Sequence, residues 1–233
     1  MQRDTLIAIG SGLGSAVLFL LVLSGNPVAL LLSYFGHLPL FLTGLWQGPK
    51  RLLVAAFAAC SALVLLGGLL PFTVFMVVFA GPAMLLTRMA LVVRKDQNGN
   101  LAFIPSGVVV SAMAVMVATV MIIITGTLTA EGLDIQEFVS QFLSQIYSEM
   151  GVPMTSDVQG LIGMFKIYFP AIAAVSWLLM LFANATIAQA ILVRAGKNLR
   201  PTPKMASFAL PGWSLFVAGF TVGFADGSLA YVA

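Results

Sequence analysis

Long unbroken apolar runs alternate with short polar joints along this chain. Seven runs stand out, at about residues 5–23, 28–46, 52–70, 72–93, 104–126, 171–193 and 212–231. Each is roughly 20 residues, the length that crosses about 30 Å of hydrocarbon at 1.5 Å rise per residue. Backbone groups in lipid must be satisfied within their own segment, so continuous runs of this length predict helices. A β-barrel would show alternating strands of about ten residues instead. The pattern predicts an all-α polytopic transmembrane helix bundle of about seven spans. It reads as a single integral membrane domain over 1–233.

The pattern changes between the fifth and sixth runs. Ile135, Phe138, Val139, Phe142, Leu143, Ile146, Tyr147 and Met150 recur at helical spacing, and Asp, Glu, Gln and Ser fill the other face. That is an amphipathic helix. Asp134 with Glu137 three residues on resembles a capping box, and Gly151 and Pro153 supply the stop. Ser156 with Gln159 suggests a second N-cap. The stretch from Asp157 to Val193 is too long for one span, and Pro170 is the natural kink. The expectation is a helical segment over 134–169, formed as a hairpin of about 134–150 and 157–169, with Lys166 snorkelling near its end.

Composition makes the membrane reading firm. The chain is 60% hydrophobic and 8% charged, whereas a soluble domain carries about 25% charged residues. The net charge of +3 does not point to nucleic acid, because of where the bases fall. Arg3, Lys50, Arg51, Arg88, Arg94, Lys95, Arg194, Lys197, Arg200 and Lys204 all flank one set of span ends, and Lys166 alone does not. Glu131, Asp134, Glu137, Glu149 and Asp157 fall on the opposite connection. Basic residues are retained on the cytoplasmic side, so the N-terminus is expected inside and the helical hairpin outside. The expected location is a bacterial inner membrane. The first run is too long for a signal-peptide core and no A-x-A site follows it, so it reads as an uncleaved span. The apolar ending at Ala233, without a polar tail, suggests a chain that lacks a final segment.

Few residues could carry chemistry. His37 is the sole histidine, mid-span, two residues before Pro39. At that depth it must face the protein interior or a cavity, as a ligand or proton contact or in one interhelical hydrogen bond. Asn184 lies at similar depth in the sixth run, with Thr186 and Gln189 nearby. Gly81 and Pro82 interrupt the fourth run, and broken helices at the midplane often mark transporter sites. His37, Asn184 and Gln189 are therefore the ligand-binding candidates, around a midplane cavity between spans 2, 4 and 6. Gly10, Gly12 and Gly14 form a small-residue face, with Gly10 and Gly14 four residues apart, fit for close packing inside the bundle or against a partner helix. Asp226 sits in the outer third of the last run and needs either a partner or a helix that leaves the membrane there. The lone Cys60 gives no disulfide. With one His, one Cys and neither H-E-x-x-H nor G-x-S-x-G, the chain is not expected to be an enzyme, and no cofactor or metal is expected.

Several residues carry a resemblance. Leu38-Pro39-Leu40 is followed by Gly44, Gly48 and Lys50-Arg51. Further on, Arg200-Pro201-Thr202-Pro203 precedes Phe208-Ala209-Leu210-Pro211 and Trp213. This layout resembles the YybS-like bacterial membrane proteins, a domain-of-unknown-function family numbered 2232. The family is distantly similar to the substrate-binding S-components of energy-coupling-factor transporters and to the rod-shape protein MreD. The resemblance implies small-molecule transport or S-component-like substrate binding, with span 1 facing a membrane partner. The alternative it implies is a non-enzymatic envelope scaffold similar to MreD.

Overall fold

A computed structural model describes residues 2–24, 27–95, 101–202 and 209–214. Helix α1 spans Gln2–Leu20, and its last turn tightens over Leu21–Ser24. The second span is split into α2 (Pro27–Ser33) and α3 (Leu38–Gln47), and α4 covers Pro49–Gly67. The fourth is α5 (Leu69–Phe75), a π-helical turn at Met76–Ala80, and α6 (Gly81–Leu91). Then come strands β1 (Val93–Lys95) and β2 (Leu101–Phe103), followed by α7 (Ser106–Ala130), α8 (Ile135–Glu149) and α9 (Ser156–Arg194).

Six helical stretches among the described residues are long and apolar enough to cross a membrane. They are Gln2–Leu20, Val28–Gln47, Pro49–Gly67, Leu69–Leu91, Ser106–Ala130 and Ser156–Arg194. They match the first six apolar runs. The seventh run, 212–231, lies outside the described residues beyond position 214, and Asp226 lies outside them entirely. Gly48 (φ +86°) and Gly68 (φ +79°) take the positive-φ joints between α3 and α4 and between α4 and α5, where a side chain would be strained. Leu65, Leu70 and Phe57 point outward, at 85%, 76% and 74% exposure. Side chains this apolar and this open need lipid around them.

Contacts divide the chain into two compact units. One holds Met1–Met113 and Leu181–Ala233, the other Ala114–Met180. In the first, α1 lies against α3 and α4, and α3 packs on α4 and α6. Gly12 makes the closest of these approaches: a Cβ there would fall 1.9 Å from the Ala55 carbonyl oxygen on α4. Small residues let helices meet backbone to backbone in a membrane.

The second unit holds the amphipathic helix. Asp134 caps α8, accepting from the Gln136 and Glu137 N–H groups at 2.8 and 3.4 Å. Val152 N–H returns to the Tyr147 carbonyl at 2.9 Å at the other end, the closure a helix-terminating glycine permits. Two details differ from the sequence reading. Thr155, not Ser156, caps α9, its hydroxyl accepting from Val158 N–H at 3.4 Å. α9 continues as one helix of 39 residues through Pro170. At 1.5 Å per residue that is about 58 Å, nearly twice the hydrocarbon thickness. Finally, β1 and β2 form a two-stranded antiparallel ribbon pairing Val93 with Phe103 and Lys95 with Leu101, a small departure from an all-helical chain.

Candidate functional site

Prolines interrupt two adjacent spans, and the polar groups they release meet inside the first unit. In span 2, Pro39 has no N–H for the Phe35 carbonyl four residues back, and it disfavours helix at the residue before it. The chain turns over Tyr34–His37, and Leu38 N–H takes the Phe35 carbonyl at 2.9 Å. Leu38 N–H would otherwise serve Tyr34 O. That oxygen accepts from Asn184 Nδ2 of α9 at 2.7 Å. Gly36 O, in the same turn, accepts from the Ser15 hydroxyl of α1 at 2.5 Å.

Span 4 repeats the arrangement. Its π-helical turn widens the coil so that Gly81 N–H reaches back five residues to Met76 O. Pro82 has no N–H for the Val78 carbonyl four residues earlier. His37 Nε2 lies 2.8 Å from that oxygen. A carbonyl only accepts, so the proton of the ring sits on Nε2. Nδ1 is then a bare acceptor, buried and without a hydrogen-bond partner.

Aromatic packing fixes the imidazole. His37 is fully buried, stacked on Phe79 at 4.3 Å between ring centres and 16° between planes, with Phe41 on its own helix at 6.2 Å. Phe79 also meets Phe75 at 5.4 Å and Phe19 of α1 edge-on at 5.4 Å. Gly36 leaves room for Phe79, since a Cβ there would fall 2.5 Å from that ring. The second span, which brings His37 and Phe41 to this cluster, is the most buried of the six.

The structure thus joins His37, Asn184 and the Gly81-Pro82 break around one turn. Gln189 is elsewhere: its Nε2 donates to the Arg200 carbonyl at 2.8 Å, beyond the last turn of α9. Gly10 and Gly14 have open space where a Cβ would stand, and the intramolecular packing glycine is Gly12. Sequence reasoning missed Ser15, Gly36 and Phe79. Ser15 and Gly36 look like ordinary small residues, and only the orphaned carbonyl of a helix interrupted by Pro39 could have called for a donor.

The basic span ends also come together. Arg51 Nη1 donates to the Thr5 hydroxyl at 2.5 Å, joining the starts of α1 and α4. Beyond α9, Lys197 Nζ stands 4.3 Å over the Trp46 ring, and Leu199 N–H reaches Leu45 O at 3.3 Å. Arg200 forks to Ala90 O at 3.1 Å and Ile104 O at 2.8 Å, with its guanidinium over Phe103. Burial holds that guanidinium below its ordinary pKa. Hence one end of the unit gathers the joints that carry the bases.

The fold has counterparts by sequence rather than by known structure. Residues 15–230 match the family described as predicted membrane protein (DUF2232). No curated protein and no solved structure matches the chain.

Proposed function

This chain belongs to the DUF2232 family of predicted membrane proteins, and from that premise we propose that it works in small-molecule transport, as an S-component-like substrate-binding subunit. One observation carries the reading: two interrupted spans meet at a buried histidine, with Tyr34–His37 in one and Met76–Pro82 in the other. Interrupted helices that present free carbonyls and ring nitrogens at mid-membrane are the usual makings of a substrate site. Here Ser15, His37 and Asn184 occupy those carbonyls, and Phe79 fills the space beside them. A substrate would enter by displacing the 34–37 turn and taking over its hydrogen bonds. His37 and Asn184 would be its ligands, and Gln189 would steady the end of α9.

A second reading, a non-enzymatic envelope scaffold similar to MreD, is favoured by the close packing of His37 on Phe79 and by the open Gly10 and Gly14 face. Water access separates the two. In a Cys60→Ala background, Ser15→Cys should react with a membrane-impermeant thiosulfonate reagent if the centre opens to substrate. The exposed Ser148→Cys is the positive control and the lipid-facing Leu65→Cys the negative one. A Ser15→Cys variant as inert as Leu65→Cys would sink the transport reading and leave the scaffold. Co-purification from native membranes adds a second arm: transporter ATPase subunits support the first reading, envelope-synthesis proteins the second.

A further inference from the structure

A cavity of about 480 Å³ opens beneath the β-ribbon, at the water-facing ends of α6 and α7. Its walls are of two kinds. Met89, Phe103, Ile104 and Val108 make an apolar floor, and Arg94 and Lys95 stand at its edge. Both basic side chains are exposed, and among the described residues none of the lining side chains is acidic. Behind the wall, Arg200 adds a third positive charge, bonded to Ile104 O and lying over Phe103. Its carbonyl bonds hold it in place, so it contributes potential and makes no direct contact.

The volume falls in the range of ordinary ligand pockets, about 300–1,000 Å³. A soluble anion would use the cations and leave the apolar floor wet. A neutral lipid would cover the floor and leave the cations unanswered. An anionic glycerophospholipid matches both, with its phosphate at the basic edge and the head of an acyl chain along Met89, Ile104 and Val108. Basic pockets between spans at the headgroup level take anionic lipids for this reason. We propose that this cavity is a specific site for one anionic phospholipid. The inference is independent of the transport reading and of which side of the membrane the ribbon faces.

The site can be tested with the full-length protein in mild detergent, mixed with equal dioleoyl-phosphatidylglycerol and dioleoyl-phosphatidylcholine, by native mass spectrometry. One phosphatidylglycerol should be retained in preference to phosphatidylcholine. Each cation near an anionic headgroup contributes about fivefold, so Arg94→Gln with Lys95→Gln should weaken that retention about thirtyfold. Arg194→Gln removes an exposed base of the same end that does not line the cavity, and should change retention less than about twofold. Val108→Trp keeps both cations and fills the floor, and it should also expel the lipid. Equal retention of the two lipids, or an equal loss with Arg194→Gln, would overturn the proposal. So would retention that survives Val108→Trp, or displacement by inorganic phosphate alone.

Discussion

His37 shows what one side chain does when a proline has taken a hydrogen bond away. Pro82 has no N–H to offer the Val78 carbonyl, and backbone groups in a membrane interior need partners. The imidazole reaches across from the second span to that oxygen on the fourth, and its stack on Phe79 holds the ring in plane. His37→Phe keeps the stack and removes the donor. It should destabilise the folded protein by about 0.6–1.7 kcal/mol, the range of hydrogen bonds between membrane helices. The sharper check is a double-mutant cycle. Pro82→Ala restores an N–H four residues after Val78, so His37→Phe should cost much less in that background. Simple additivity in reversible unfolding would mean that His37 and Pro82 do not act on the same carbonyl. The same sites show how far the sequence could be read. Pro39, Pro82 and a lone mid-span histidine mark where backbone groups are released, and that much is local chemistry. Pairing His37 with Val78, Asn184 with Tyr34 and Ser15 with Gly36 needs the angle and depth at which the helices cross. No periodicity encodes those.

Helix α1 presents two glycine faces with opposite roles. Gly12 touches the Ala55 backbone, whereas Gly10 and Gly14 face open space. Gly12→Ala must push α1 off α4, and overpacking of that kind costs about 1–3 kcal/mol. Gly10→Ala should be neutral or stabilise by up to about 1 kcal/mol, since only the backbone freedom of glycine is lost. If both substitutions shift the melting temperature of the purified protein alike, this assignment of the two faces is wrong. Gly10, Gly12 and Gly14 read in the sequence as one small-residue face. Of the three, Gly12 alone makes the intramolecular contact, because the α1–α4 crossing selects the face and spacing alone cannot. Similar limits explain the other elements. Capping chemistry located α8, since Asp134 and Gly151 act within their own turn. Pro170 reads as a kink because it removes one N–H, and α9 continues through it as one helix of 39 residues. The ribbon had only the Asn98-Gly99 dipeptide to announce it, and strands of three residues are too short to show a period of two.

The bases ordered the spans in the sequence, and the contacts of Arg51, Lys197 and Arg200 now tie those joints together physically. Arg200 matters most to this end, because it links the end of α6 to the start of α7 while its own carbonyl accepts from Gln189 and Asn198. A guanidinium can fork to two carbonyls, whereas an ammonium is a point charge. Arg200→Lys therefore keeps the charge and loses the geometry, and it should lower the melting temperature by roughly 5 °C. An unchanged melting temperature would show that charge alone holds the joint.

Side-by-side packing of the basic joints also makes orientation a property that one experiment can read. If Lys50, Lys95 and Lys197 share one face of the membrane, single-cysteine variants at all three, in a Cys60→Ala background, must label as a set. The retention of basic residues inside predicts that the set labels only after the cells are permeabilised. Ser148→Cys, on the acidic helix α8, should label in intact cells. This expectation rests on the connection through α7 alone, and the seventh apolar run does not enter it. A split within the basic set would contradict the Arg51, Lys197 and Arg200 contacts that bind it. A set that labels together from outside would leave the fold intact and reverse the membrane, placing the acidic helix α8 on the cytoplasmic side.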